Sequence, residues 1–177
     1  MISTAPQWPK MIRDDRGAEI AEAAAVLPLM FLILLGIFWF GQAFSIYGAI
    51  TRAAEDGARA AAAPYCTTCT AANTPAANAV SAVNSALLAA KLDPSQIQAP
   101  STPPSFTACS GGSNSCASGS NVCVQGPVQL SNTTSGTGIC GMSVTFQYPF
   151  QFWLPFTSLN KQRILMNASA RVRMENQ

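Results

Sequence analysis

The sequence predicts an α+β chain: a long N-terminal helix that spans a membrane and continues outward, then a disulfide-stapled head with a short helix and a small antiparallel sheet. Three observations predict it. No Asp, Glu, Lys or Arg occurs between Glu22 and Arg52. All six cysteines (Cys66, Cys69, Cys109, Cys116, Cys123 and Cys140) follow that uncharged run. The last part of the chain alternates apolar and polar residues with period two.

The run from Ala23 to Thr51 is densely apolar at its centre, from Val26 to Phe40. About 20 apolar residues in a helix cross a hydrocarbon core of about 30 Å. A helix is also the single segment that satisfies its own backbone groups in lipid. Pro28 would break such a helix in water, but membrane helices tolerate proline. Lys10, Arg13 and Arg16 precede the span, which places the N-terminus in the cytoplasm and the rest of the chain outside. Arg52 and Arg59 follow it but stand beside Glu55 and Asp56. The cysteines, all on the exported side, agree with an oxidising compartment and disulfides. Gly36, Gly41, Gly48, Ala43 and Ala49 form a small-residue surface suited to close helix packing, although glycine is frequent in membrane helices in any case. Trp39 and Tyr47 are placed to anchor at the outer interface. The alanine-rich stretch Ala49–Ala63 carries the helix past the membrane, and Pro64 ends it.

A second helix is expected from Pro75 to Leu92, with Val80, Val83, Leu87 and Leu88 on its core face and Asp93-Pro94 closing it. Residues 93–121, punctuated by Cys109, Cys116 and Cys123, read as a Ser/Gly/Asn/Pro loop with too little apolar content to fold alone. Six cysteines admit many pairings, and spacing does not choose among them. Cys66-x-x-Cys69 also has the spacing of half a zinc site or a redox pair, but no second such pair follows. Val122, Val124 and Val128 mark one strand. Met142 to Tyr148 alternates, with Ser143, Thr145 and Gln147 opposite Met142, Val144, Phe146 and Tyr148. Ile164, Met166, Ala168, Ala170, Val172 and Met174 give the last strand one buried face and leave Arg163, Asn167, Ser169, Arg171 and Arg173 on a wet one, with Leu165 the exception. The aromatic and proline-bearing stretch Tyr148–Phe156 reads as a bent crossing or an edge segment between them.

Charged residues make up 10% of the chain against 49% apolar. Histidine is absent, and only Asp93 and Glu175 are acidic after Asp56. There is no Gly-x-Ser-x-Gly element and no phosphate loop. This scarcity argues against acid–base catalysis, so no enzyme activity, cofactor or metal is expected. The net charge of +2 is too small to suggest nucleic acid. The sequons at Asn132 and Asn167 carry no assigned role.

Gly17 is followed by Ala18-Glu19-Ile20-Ala21-Glu22 and then the apolar helix. This resembles the class III signal of type IV pilins and pseudopilins. The segments Glu22–Leu29, Gly36–Gly41 and Ala53–Arg59 sharpen the likeness: residues 16–63 resemble TadE-like minor pilins of tight-adherence (Flp-type) pili, and the stretch Val144–Phe150 with the late strand is similar to that family's β end. Many members carry a second acid before the aromatic-glycine pair, where this chain has Trp39. The resemblance implies a leader, residues 1–17, cut by a prepilin peptidase between Gly17 and Ala18. It implies an assembly helix, residues 18–63, in which Glu22 pairs with the new amino group of Ala18, and an exported head, residues 64–177. The implied partners are that peptidase, other pilins or pseudopilins, the pilus-assembly platform and the bacterial inner membrane. The protein would act structurally in pilus assembly, either from the membrane or within the filament. The alternative is an adhesive subunit exposed on the filament, binding surfaces through its Cys-rich head.

Overall fold

The computed structural model describes residues 15–63, 74–116, 120–130, 139–151 and 163–174. The elements are α1 (Asp15–Ala62), α2 (Pro75–Ala89), a 3-10 turn (Pro94–Gln96), and strands β1 (Ala108–Ser113), β2 (Cys123–Gln129), β3 (Cys140–Gln151) and β4 (Arg163–Arg173). The chain divides into two compact units, Met1–Gly41 and Gln42–Gln177, with the division inside α1.

In the first unit α1 runs unbroken through Pro28, and its large apolar side chains from Ile20 to Phe40 are exposed except for half-buried Trp39. The helix ends at Ala62, just before the proline expected to stop it.

In the second unit the sheet is an antiparallel meander in the order β1-β2-β3-β4. One face carries the apolar core. Met142, Val144, Phe146 and Tyr148 of β3, with Ala168 and Ala170 of β4, pack with Ile50, Ala53, Ala54, Ala58 and Ala61 of α1 and with Ala79, Val83 and Leu87 of α2. Gly57 marks a close approach of the helices, since a Cβ there would stand 2.6 Å from Val83 Cγ2.

α2 starts as its sequence dictates. Thr74 is the N-cap, its Oγ1 accepting the Ala77 N–H at 3.1 Å, and Pro75 takes the first turn, where no N–H is needed. Its end differs from expectation. The helix stops at Ala89, not Leu92, because Lys91 adopts φ +58° and closes a Schellman turn. The Leu92 N–H reaches the Leu87 carbonyl at 2.9 Å, and the Lys91 N–H reaches the Leu88 carbonyl at 3.0 Å. Asp93 then caps the 3-10 turn instead of closing the helix. The buried stripe is Ala79, Val83 and Leu87, and Leu88 is exposed. Ala79, Val83 and Leu87 recur every four residues on one face, whereas Leu88 stands five residues from Val83, about 140° round the helix.

The segment 93–121 is not all loop. Ala108–Ser113 forms β1, paired to β2 across a register shift. Its sequence, ACSGGS, has no alternation to announce a strand; pairing to β2 and a covalent tie to β3 form it. β3 also departs from the expected one-sided pattern, since Ser143, Thr145 and Gln147 are buried too. The strap of residues 98–107 covers them. Gln98 and Gln147 exchange backbone hydrogen bonds at 2.9 Å. Gln147 Nε2 donates to Ser101 Oγ, and Gln125 Nε2 donates to the Pro104 carbonyl at 3.0 Å. The Phe106 ring lies 4.6 Å from the Arg171 guanidinium carbon. β3 runs through Tyr148, Pro149 and Phe150 to Gln151, so the first part of the expected crossing is strand; the rest lies outside the described residues. β4 has the expected two faces from Met166 onward, but Ile164, expected on the buried face, is exposed, because the core packs only against the later part of the strand.

Candidate functional site

The feature with a functional demand is the apolar stretch of α1. Leu27, Phe31, Leu32, Ile37 and Phe40 are each more than half exposed, and none of the most apolar window is buried. Burying one such side chain is worth about 1.5–3 kcal/mol, so a row of them in water is untenable. From Ala23 to Ser45, roughly 34 Å at about 1.5 Å per residue, no side chain of α1 is fully buried. That matches a hydrocarbon core of about 30 Å. Ile46 is the first residue packed against the core cluster, and Ile50 the first fully buried. Among the described residues this is one helix long and apolar enough to cross a membrane.

Gly17 is an exposed residue of α1, so the Gly17–Ala18 peptide lies two residues inside its first turn. Glu22 is exposed on the next turn. Among the described residues a Cβ at Gly36, Gly41 or Gly48 would meet nothing within 4 Å, with Ala43 and Ala49 half-buried along the same helix. Trp39 packs edge-to-face on Phe38 with centroids 5.7 Å apart, and Tyr47 is exposed. At the far end Thr51 Oγ1 donates to the Tyr47 and Gly48 carbonyls, and Arg52 supplies the first charge.

Residues 17–59 match the family model of TadE-like proteins. The TadE-like segment covers about a quarter of the chain, within the residues 16–63 on which the resemblance rests. It opens at Gly17 and closes at Arg59, so it takes in the whole membrane-length stretch and Gly57. No curated protein and no solved structure matches the chain. TadE-like proteins are structural components associated with the Tad pilus, and one N-terminal apolar helix fits a single-pass membrane protein of such a system.

In the head, Cys109 pairs with Cys140 and Cys116 with Cys123. Cys66 and Cys69 lie outside the described residues. Among the described residues no group of three or more His, Cys, Asp or Glu side chains could hold a metal ion. Two titratable groups are perturbed at the junction of α2 and the sheet. Asp93 accepts from the Ser95 hydroxyl at 2.7 Å and the Ser95 N–H at 2.9 Å, which lowers its pKa. Burial raises the Tyr148 pKa, while its hydroxyl oxygen accepts the Asp93 N–H at 3.1 Å. Sequence reading missed Gly57 as the helix crossing. Its one signal was a glycine inside an alanine-rich helix, a costly choice unless something packs there.

Proposed function

We propose that this chain is a minor pilin or pseudopilin acting structurally in assembly of a tight-adherence (Flp-type) pilus or related secretion machine. The observation that carries this reading is the TadE-like match opening at Gly17 on a membrane-length apolar helix whose most apolar window has no buried residue among the described residues. A prepilin peptidase on the cytoplasmic side cuts between Gly17 and Ala18, removing residues 1–17. The helix stays in the inner membrane as an anchor, and residues 64–177 form the exported head.

Cleavage leaves an ammonium on Ala18. Glu22 stands four residues on, on the same helix face, and helical side chains lean toward the N-terminus. Its carboxylate is therefore aimed at that ammonium, in its own chain or a neighbour's. A lone carboxylate costs up to about 2.5–3.5 kcal/mol at the bilayer centre and less near the headgroups. A charge pair offsets that cost. Because attraction in low dielectric depends steeply on geometry, the pair also sets the axial register of adjacent helices. Other pilins and the assembly platform are the partners.

N-terminal sequencing of the mature protein tests the cut and should begin at Ala18. Gly17→Leu should retain the leader and its slower gel mobility. Glu22→Ala should insert and be cleaved normally yet abolish piliation. A native protein still starting at Met1, or normal pili in the Glu22→Ala strain, would overturn the reading.

A further inference from the structure

The two edges of the sheet differ in a way that assigns them different roles. β1 is short, glycine-bearing and irregular in register, and disulfides fasten it at Cys109 within the strand and at Cys116 just beyond it. Those are devices that stop an edge strand from pairing with another chain. β4 has none of them. It pairs with β3 residue for residue from Arg163 to Arg173 without a bulge. No proline interrupts it, and its centre, Ile164 to Ala170, holds no charge. Its outer edge has no partner strand among the described residues. Ile164 and Leu165 are both more than two-fifths exposed beside it. An edge of this kind, about 33 Å long at roughly 3.3 Å per residue, is a template for one more strand.

The charges say which strand. Arg163 stands at one end and Arg171 and Arg173 at the other, all exposed. Arg171 rests on Phe106, while Arg163 and Arg173 make no ion pair among the described residues. A second copy is a poor occupant. Paired antiparallel about Ala168, it would set Arg163 of one copy opposite Arg173 of the other; paired parallel in register, it would set each arginine against itself. Like charges directly opposite oppose pairing. The favoured occupant carries acids at its ends and β-forming residues between them.

We propose that the outer edge of β4 is a strand-addition site for an extended, acid-flanked segment of a partner protein. Backbone hydrogen bonds along residues 164–170 supply the affinity. Arg163 and Arg173 supply selectivity and a dependence on ionic strength.

The test uses the full chain in nanodiscs and a labelled synthetic peptide of alternating Thr and Val with Glu at both ends. Its control is the same peptide with Lys at both ends. Fluorescence anisotropy reads binding, and hydrogen exchange locates it. The Glu-ended peptide should bind, protect the amides of β4 and lose affinity as salt rises. The variant Arg163→Glu/Arg173→Glu, altered only at exposed positions, should weaken it at least about tenfold and accept the Lys-ended peptide instead. Equal binding of both peptides, or protection elsewhere than β4, would overturn the proposal. So would concentration-dependent protection of β4 without peptide, which would make a second copy the occupant.

Discussion

Gly57 sits where α1 crosses α2 over the sheet. A Cβ there would stand 2.6 Å from Val83 Cγ2, 3.3 Å from the Ala79 carbonyl oxygen and 3.6 Å from Val144 Cγ1. Gly57→Ala therefore sets two effects against each other. Alanine gains about 1 kcal/mol over glycine inside a helix. Overpacking a filled core costs about 1–3 kcal/mol. Val83 lies in α2, where valine is held to one rotamer, so Cγ2 cannot swing aside and the helices must separate. The steric cost should win, leaving Gly57→Ala destabilised by about 1 kcal/mol, or roughly 4 °C in the unfolding midpoint of the head. Val83→Ala alone removes two buried methyls and costs about 2 kcal/mol. The double variant should not sum the two. Removing Cγ2 makes room for the new methyl and lets the helix gain appear, so the double should come out near 1 kcal/mol, a coupling of about 2 kcal/mol. Urea titration of the full chain in nanodiscs, followed by pulse proteolysis, measures all four corners of the cycle. A Gly57→Ala protein at least as stable as wild type, or additive losses in the double, would refute the close crossing.

Lys91→Gly should stabilise the head by up to about 1 kcal/mol in the same assay, since relief of a left-handed non-glycine residue, about 1–2 kcal/mol, exceeds the added freedom of the unfolded chain. Replacing Cys109 and Cys140 together by serine should cost about 3 kcal/mol for the loop they close, and hydrogen exchange should show β1 deprotected first. The lowered Asp93 pKa means that its stabilising contribution is present above its ordinary value of 3.8 and lost as pH falls through the folded value; Asp93→Asn should flatten that acid limb of a stability profile. The raised Tyr148 pKa acts in the opposite range: its contribution is intact below 10.0 and lost as pH rises through the folded value, a loss that Tyr148→Phe should not show.

Much of the fold was legible because it rests on strong, local periodicities. The uncharged run announced α1, Pro75 opened the expected second helix, and β4 alternates from Met166 to Arg173. Most of what escaped was set by tertiary contact. Leu88 was set on the core face with Val80, Val83 and Leu87, but it stands five residues from Val83, about 140° round the helix, and so lies off the stripe that Ala79, Val83 and Leu87 bury. Ser143, Thr145 and Gln147 read as a wet face because nothing local says that a proline-bearing strap will lie over them. β1 could not be read at all, because its strand character comes from β2 and from Cys109–Cys140 rather than from its own residues. Gly17 and Glu22 enter the proposed site through their place before an apolar helix, whereas the arginine-ended edge of β4 required the strand order.

The two faces of the sheet are held by different physics, and this accounts for where the described disulfides fall. On the helix side Ile50, Val83, Leu87, Val144 and Phe146 are fully buried, and area removed from water supplies the stability. On the strap side the buried polar residues are Gln125, Ser143, Thr145 and Gln147, and Ser143 Oγ and Thr145 Oγ1 have no protein hydrogen-bond partner among the described residues. Burying such groups unpaired costs about 1–3 kcal/mol each. Apolar burial therefore does little to hold the strap and β1 in place. A disulfide stabilises chiefly by restricting the unfolded chain and needs no apolar contact to do so. Both disulfides accordingly fasten the segment from β1 to Cys116, and the described helices carry none. The helix-packed core should thus form under reducing conditions, while the strap waits for an oxidising compartment. Hydrogen exchange with and without dithiol, showing loss of protection in β1 and residues 98–107 while α2 and β3 stay protected, is the expected signature; uniform loss across the head would show that the two layers are one cooperative unit.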